Sequence, residues 1–324
     1  MGLLQLTESL NSSKTASEPA IIVQNLVKRY GDYLAVNDVS FTIKEGEIFG
    51  IIGPNGAGKT TTVECISGLR VQDSGSIKVY GLSPQKDRDK IRKLVGVQLQ
   101  ESALPPRIEV GEALNLFASF YSNPLDPNEL LELLGITKVK NAQFRKLSGG
   151  QKQRLSIALA LVGNTRVAIL DELTTGLDPE ARHETWDLIE GVRDRGVTVI
   201  LVTHFMDEAE RLCDRLTLIN HGKLVVLDTP EAIASMAGGN RMRFIPSKPV
   251  DDMALLAIPG VTGVDRKEKY VTVTGTGDLA TSVINSLAKI GVQIFDIEAR
   301  GGNLDDAFVK LTKNETSFSG GRKA

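Results

Sequence analysis

Hydrophobic and polar positions recur along this chain with two different periods, and the two periods separate strands from helices. Nearly continuous apolar runs at 166–171 (RVAILD) and 197–204 (VTVILVTH) are typical of strands that are covered on both faces. Before them, apolar residues spaced three and four apart through 109–162 predict a mostly helical stretch. Between them, Asp178 as N-cap and Pro179 as first helical residue predict a helix start. The pattern indicates an α/β domain over residues 20–237 with a helical insert at about 101–163.

The composition changes at SMAGGNRMR, and a second, smaller pattern follows. It predicts a separate α+β domain over residues 241–312, with ferredoxin-like order. Its predicted elements are strand 241–246, helix 251–257, strands 261–266 and 270–274, helix 278–290, strand 292–298 and helix 303–312. We expect residues 1–19 to be a flexible leader and residues 313–324 a flexible tail.

The segment GPNGAGKT, here called the phosphate loop (Gly53–Thr60), matches G-x-x-x-x-G-K-[ST] between a predicted strand and a predicted helix. Backbone N–H groups of such a loop cradle the β- and γ-phosphates of a nucleotide. Lys59 would neutralise the phosphates and Thr60 would ligate Mg²⁺. A glycine-rich turn with an incidental lysine is the structural alternative. The predicted nucleotide-binding residues are Gly53, Asn55, Gly56, Gly58, Lys59, Thr60 and Thr61.

Two carboxylates follow the buried strand VAILDE, at the strand end where ligands gather in open α/β sheets. A hard cation prefers oxygen ligands, so Asp171 would hold Mg²⁺ directly or through water. Glu172 is then placed to act as the general base that activates the attacking water. A solvated acidic strand–loop junction is the alternative, and the phosphate loop in the same chain makes it less favoured.

Three further side chains are assigned to the same site. Gln100 ends a predicted strand and is expected to contact both Mg²⁺ and the attacking water. His204 ends the strand TVILVT, at the edge where the γ-phosphate should lie. Tyr30, in KRYG, is expected to stack on an adenine ring, with core packing as the rival interpretation.

The segment LSGGQ contains what we call the SGGQ segment (Ser148–Gln151), which also fits the S-x-x-Q pattern of a capping box. A capping box alone does not need Gly149 and Gly150, since consecutive glycines cost backbone entropy. A helix N-terminus with a glycine backbone suits the close approach of an anion. The phosphate loop already wraps one side of its own nucleotide. We therefore expect the SGGQ segment to close over the nucleotide of another subunit.

Composition limits the partners of this 324-residue chain. With 38 Lys+Arg against 40 Asp+Glu the net charge is −2, whereas a general nucleic-acid binder carries a basic excess. No nucleic-acid partner is expected. No apolar run approaches the ~18–20 residues that span a bilayer, so other chains would have to supply any spans. Cys65 and Cys213 stand far apart in apolar contexts and are expected to be buried free thiols.

Taken together, these motifs resemble those of ABC-type ATP-binding subunits. GPNGAGKTT, Gln100, LSGGQ, VAILDE, the LD at 177–178 and His204 occur in that family's order and spacing over roughly residues 20–235. The resemblance implies an α/β P-loop ATPase domain with an antiparallel β subdomain and a helical insert. It also implies that ATP and Mg²⁺ are the cofactors and that Glu172 is the catalytic base, with His204 touching the γ-phosphate.

The resemblance further implies a head-to-tail homodimer with two ATP molecules at its seam. In that arrangement Ser148, Gly149, Gly150 and Gln151 bind the partner's ATP, and Asp178 couples the two sites. One position departs from the family pattern, which usually has proline after the catalytic glutamate. Here Leu173 follows Glu172, which leaves the turn less stiff. We still expect an active ATPase.

The C-terminal ending NLDDAFVKLT resembles prokaryotic exporter ATPases of the drug- and antibiotic-resistance type. Two copies would dock on polytopic membrane permease subunits, through a groove formed around Gln100 to Tyr121. The chain would then be cytoplasmic and peripheral on the inner face of the membrane. The alternatives are an importer ATPase, a soluble ABC ATPase of the metal-cluster-assembly type and an inactive nucleotide-binding regulator, the last disfavoured by the intact Glu172.

Overall fold

The computed structural model describes residues 19–98, 104–236 and 240–316. These residues form two compact units. The first contains the strands before residue 48 together with residues 60–200, and the second contains residues 49–59 together with those from 201 onward. In the part of the chain that is described, no helix has the length and apolar character needed to cross a bilayer.

The strands and helices follow the predicted pattern closely. The strands are β1 Ile21–Tyr30, β2 Tyr33–Ile43, β3 Ile48–Ile52, β4 Ser74–Val79, β5 Val95–Gln98, β6 Val167–Asp171, β7 Thr198–Thr203, β8 Arg215–Asn220, β9 Lys223–Asp228, β10 Asn240–Pro246, β11 Val261–Lys267, β12 Tyr270–Gly275 and β13 Ile294–Arg300. The helices are α1 Lys59–Ile66, α2 Arg88–Leu94, α3 Val110–Ala118, α4 Pro127–Leu133, α5 Gly149–Leu161, α6 Pro179–Asp194, α7 Met206–Leu212, α8 Pro230–Met236, α9 Asp252–Leu256, α10 Leu279–Lys289 and α11 Leu304–Thr316.

Three sheets organise these strands. An antiparallel sheet has the order β2-β1-β4, and a mostly parallel sheet has the order β5-β6-β7-β3-β8-β9. Its pairs β5–β6 and β3–β8 are parallel, while β8–β9 is an antiparallel hairpin. Every residue of β3, β6 and β7 is buried, as expected for strands with continuous apolar runs. The predicted α/β fold is confirmed.

The helical insert lies against this sheet at one very close contact. At Gly96, in the middle of β5, a Cβ atom would stand only 1.7 Å from the carbonyl oxygen of Ala160 on α5. Glycine is therefore required where the backbone of α5 meets β5. This contact holds the C-terminal end of α5 against β5. The SGGQ segment lies at the other end of the same helix.

The C-terminal region runs β10-α9-β11-β12-α10-β13, and its antiparallel sheet has the order β11-β12-β10-β13. This is the ferredoxin-like arrangement of a βαββαβ unit. One face of the sheet is covered, and its core includes Met242, Phe244, Val273, Val283 and Leu287.

The last helix extends beyond its predicted end. Helix α11 continues to Thr316, although a flexible tail was expected from residue 313. No glycine or proline occurs between Leu304 and Thr316 to end the helix earlier. Residues 1–18, the bulk of the expected leader, and residues 317–324 lie outside the described residues. Cys65 and Cys213 are both buried, and neither forms a disulfide among the described residues, in agreement with the prediction.

Candidate nucleotide-binding site

The phosphate loop joins the end of β3 to the start of α1, and its glycines adopt backbone conformations that other residues avoid. Gly53 has a φ of +154°, and Gly56 and Gly58 have φ values of +78° and +104°. A Cβ atom at Gly53 would also lie 2.1 Å from the carbonyl oxygen of Ile219. The loop therefore favours glycine at these positions, and it ends at the start of α1, whose first N–H groups have no acceptor within the helix itself.

Lys59 directs its ammonium group into this loop. Its Nζ donates hydrogen bonds to the carbonyl oxygens of Gly53 at 2.9 Å and Pro54 at 3.2 Å. The side chain is buried. A positive charge is thus held within the ring of backbone that is predicted to bind phosphate. Asn55 is exposed in the same loop and Thr61 is half-buried on α1.

Two of the three predicted magnesium ligands, Thr60 and Asp171, are in direct contact. Thr60 Oγ1 donates a hydrogen bond to Asp171 Oδ2 at 3.0 Å. Asp171 ends β6 and is fully buried. A buried carboxylate beside a hydroxyl is a pair of hard oxygen donors, which fits Mg²⁺ that also takes phosphate oxygens and water as ligands.

Glu172 occupies an uncommon backbone conformation. Its φ is +50°, in the left-handed region that few non-glycine residues adopt. Leu173, at the position where proline is usual, is buried with 1% of its surface exposed. Left-handed residues of this kind persist where the surrounding structure holds them, and they cluster at active sites. The half-buried Glu172 carboxylate is therefore carried on a constrained turn directly after Asp171.

The SGGQ segment forms the capping box that its sequence predicts. Ser148 Oγ accepts a hydrogen bond from the Gln151 amide at 3.3 Å, and Gln151 Oε1 accepts one from the Ser148 amide at 3.0 Å. A Cβ atom at Gly149 would lie 3.4 Å from Leu177, and one at Gly150 would lie 3.5 Å from Ala181. Those are close to ordinary contact distances. The packing of the chain itself gives little reason for glycine at these two positions.

A cavity of about 420 Å³ opens beside the SGGQ segment. Asp178 lies on it and caps α6, because its Oδ1 accepts a hydrogen bond from the Ala181 amide at 2.9 Å. Pro179 is the first residue of that helix, as the sequence predicted. The cavity is lined by Gly135, Ile136, Ser148, Gly149, Gly150, Gln151, Arg154, Gly176, Leu177, Asp178, Ala181 and Glu184. The structure thus brings the SGGQ segment and Asp178 to one cavity.

The remaining predicted residues have different placements. His204 follows β7 directly, and its ring centroid lies 4.2 Å from that of Phe205. Tyr30 ends β1 and is exposed, with the Arg70 guanidinium 5.1 Å from its ring centroid. Its ring is therefore not a core side chain. Gln100 lies outside the described residues.

Sequence reasoning missed several residues that line the cavity beside the SGGQ segment, including Gly135, Arg154 and Glu184. Arg154 could have been found, since it stands one helical turn after Gln151 on α5. Nothing in the sequence places Gly135 or Glu184 opposite that turn.

A family model described as "ABC transporter" matches residues 36–175. The chain is 35% identical to Nod factor export ATP-binding protein I of Rhizobium sp. (strain N33) over 306 residues, which cover 92% of this chain and 99% of the relative. It is 31% identical to linearmycin resistance ATP-binding protein LnrL of Bacillus subtilis over 89% of this chain and 97% of the relative. Daunorubicin resistance ATP-binding protein DrrA3 of Streptomyces coeruleorubidus is also 31% identical, over 92% of this chain and 98% of the relative.

Solved structures resemble the chain over about two thirds of its length. The dimeric bacterial ABC transporter cassette MJ0796 is 28% identical, with a TM-score of 0.59 over 64% of this chain and 98% of that chain. A post-hydrolysis dimer of the same cassette, bound to ADP and Pi, is 26% identical with a TM-score of 0.59 over the same shares. The cbiO1 protein of Clostridium perfringens, part of the transporter complex cbiONQ, is 28% identical with a TM-score of 0.61 over 66% of this chain and 90% of that chain.

Proposed function

The chain belongs to the family of ABC transporter ATP-binding proteins, and we propose that it powers the export of a small molecule through separate membrane permease subunits. As a member of this family it binds and hydrolyses ATP. One observation carries the proposal of export. The relatives that align along nearly the whole chain, the C-terminal region included, are named for Nod factor export and for resistance to linearmycin and daunorubicin. A drug, an antibiotic or a lipid-like molecule is the class of cargo that these names suggest.

The phosphate loop would hold the phosphates of ATP through backbone N–H groups, and Lys59 would neutralise their charge. Thr60 and Asp171 would hold Mg²⁺, with Gln100 as a further ligand. The ion neutralises charge on the β- and γ-phosphates when it is bound. The hydrogen bond of 3.0 Å between Thr60 and Asp171 supports these two residues as neighbouring ligands of the ion.

Glu172 would accept the proton of the attacking water. Its position on a constrained turn directly after the buried Asp171 supports this role. His204 would contact the γ-phosphate, and Tyr30 would stack on the adenine. The exposed ring of Tyr30 is open to such a partner.

ABC ATP-binding domains work as dimers, and we place the SGGQ segment of one subunit over the ATP that the other subunit holds in its phosphate loop. Gly149 and Gly150 support this placement, because the packing of the chain itself does not require them. ATP would then join the two half-sites and close the dimer. Loss of the γ-phosphate would open it, with Asp178 at the seam coupling the two sites.

The permease would bind in a second cavity of about 780 Å³ on the first unit. Apolar side chains and charged side chains share its walls, and Phe120 is notable because 69% of its surface is exposed. Such a surface suits an amphipathic helix from a membrane protein. The lining residues are Ser67, Leu69, Asp89, Arg92, Lys93, Val95, Val97, Phe120 and Tyr121. Docking there would place the chain on the inner face of the membrane.

An importer and a metal-cluster-assembly ATPase are the competing functions. Neither is favoured, since the relatives that match end to end carry export and resistance names.

The test is a pull-down of tagged Glu172→Gln protein from its native membranes, solubilised gently with Mg²⁺-ATP. We expect a polytopic membrane protein in about equal amount, because slow hydrolysis retains the closed dimer on its permease. The matched control is Glu132→Gln on α4, an exposed glutamate that does not line the cavity beside the SGGQ segment, which should turn over normally. Recovery of soluble partners alone would reject the exporter and favour a soluble ABC ATPase.

A further inference from the structure

Arg154 joins three separate segments at the cavity beside the SGGQ segment. Its Nη1 donates a hydrogen bond to the carbonyl oxygen of Leu134 at 2.9 Å, and its Nη2 donates one to Glu184 Oε2 at 2.6 Å. Arg154 belongs to α5, Leu134 is the C-terminal cap of α4, and Glu184 belongs to α6. One guanidinium therefore links the helix that starts at the SGGQ segment, the end of the preceding helix and the helix that starts at Asp178.

The surrounding chain leaves room for this guanidinium. Gly135, directly after Leu134, has a φ of +64°, and a Cβ atom there would lie 2.9 Å from Arg154 Nη1. The Arg154 side chain is only 19% exposed, so its position is defined by its surroundings. The planar group can reach a carbonyl and a carboxylate at once because its donors are arranged as a rigid fork.

The link lies close to the start of both helices. Arg154 stands one turn after Gln151 on α5, and Glu184 stands one turn after Ala181, whose amide is capped by Asp178. All five residues line the same cavity. The ion pair thereby connects the helix that starts at the SGGQ segment to the helix that starts at Asp178.

We propose that Arg154 and Glu184 are positioning residues, whose ion pair holds the SGGQ segment and Asp178 in the arrangement that closes on the partner subunit's ATP. This inference rests on the proposed function, because it concerns the same half-site. The pair touches no reacting atom. Loss of the pair raises the ATP concentration needed to close the dimer. The binding of ATP to the phosphate loop of a single subunit does not change.

The experiment compares Glu184→Gln with Glu45→Gln, each introduced into Glu172→Gln protein. Glu45 pairs with Arg166 at 2.5 Å, and its side chain is 44% exposed against 55% for Glu184. Neither Glu45 nor Arg166 lines the cavity. Both glutamates are exposed, so their replacement by glutamine should cost little folding stability and both variants should remain folded, which circular dichroism and thermal unfolding check.

Two quantities are measured, the ATP concentration for half-maximal dimerisation by light scattering and the affinity of the monomer for a fluorescent ATP analogue. We expect Glu184→Gln to raise the ATP concentration for half-maximal dimerisation by about fivefold or more, the lower range of a coupling between sites. The affinity of the monomer for the ATP analogue should be unchanged. Arg154→Lys should give the same direction, since lysine lacks the fork. The exchanged pair Arg154→Glu with Glu184→Arg should recover part of the loss.

The outcomes distinguish a failure of the positioning role of Arg154 and Glu184 from a failure of the proposed function. If Glu172→Gln protein dimerises with ATP but Glu184→Gln dimerises at the same ATP concentration as Glu45→Gln, the positioning role is rejected and the proposed function stands. If Glu172→Gln protein itself shows no ATP-dependent dimer, the half-site assignment fails and the positioning role fails with it. A loss of analogue binding by the monomer would also reject the proposal, since it would indicate general damage.

Discussion

Thr60 Oγ1 donates a hydrogen bond to Asp171 Oδ2 at 3.0 Å, which joins the first turn of α1 to the end of β6 across 111 positions of the sequence. Asp171 is fully buried. A carboxylate without solvent needs a donor or a cation beside it, because burial of an uncompensated charge is costly. The hydroxyl and the carboxylate are thus close enough for both to bind the same Mg²⁺ ion.

Replacing Thr60 by valine keeps the shape of the side chain and removes the hydroxyl. We expect the Mg²⁺ concentration for half-maximal ATPase activity to rise by about 10- to 100-fold, the usual cost of losing a group that holds or orients a metal. Thr60→Ser keeps the hydroxyl and should titrate close to the wild type. The measurement is ATP hydrolysis across a Mg²⁺ series at saturating ATP. Coincident titrations of the two variants would show that the Thr60 hydroxyl does not hold the ion.

The fold was largely predictable because its signals are local. The apolar runs of β6 and β7, the Asp178–Pro179 helix start and the capping box of the SGGQ segment all appear as the sequence indicated. Each of these features depends on residues within a few positions of one another. The α11 boundary was missed because a helix end without a stop signal has no local marker.

The site was less predictable where contacts join distant residues. The sequence indicated that Thr60 and Asp171 bind one ion, but it could not give their mutual hydrogen bond. It also gave no sign that Arg154 reaches Glu184 and Leu134, since an arginine on a helix has many possible partners. The left-handed backbone of Glu172 was equally hidden, because no glycine or asparagine marks that position.

Leu173→Pro, which introduces the residue usual in the family, should lower kcat in this chain. A residue before proline is driven toward extended backbone, so Glu172 would have to leave its φ of +50°. The matched control is Leu173→Ala, which removes the same buried side chain and leaves the backbone of Glu172 unrestricted. The control should lose about 2–5 kcal/mol of stability while keeping the turnover of its folded fraction. Steady-state ATPase rates and urea unfolding measure both effects.

Full turnover by Leu173→Pro would contradict this interpretation. It would mean that the left-handed conformation of Glu172 is dispensable and that leucine and proline are interchangeable here.

Phe244→Ala should strongly destabilise the C-terminal sheet. Phe244 on β10 is fully buried among the core residues of that region, and truncating a buried phenylalanine costs about 3–5 kcal/mol. Phe295→Ala on the neighbouring strand β13 is the control, since 54% of its surface is exposed and surface changes usually stay within about 0.5 kcal/mol. Urea unfolding of both variants tests the difference. Equal midpoints would show that this sheet is not packed as described.

Cys65 should make the protein less stable as the pH rises from about 9 to about 11. Burial on α1 is the main cause that raises the pKa of this thiol from 9.0 to about 11. Below pH 9 the thiol is protonated in both states, so it contributes no pH dependence. Between the two values the unfolded chain loses the proton while the folded chain keeps it, and linkage then favours unfolding. Cys65→Ala removes this titration, so the difference in unfolding free energy between wild type and variant should decline through that window. Parallel profiles in urea unfolding between pH 8 and 11 would contradict a buried, protonated thiol at this position.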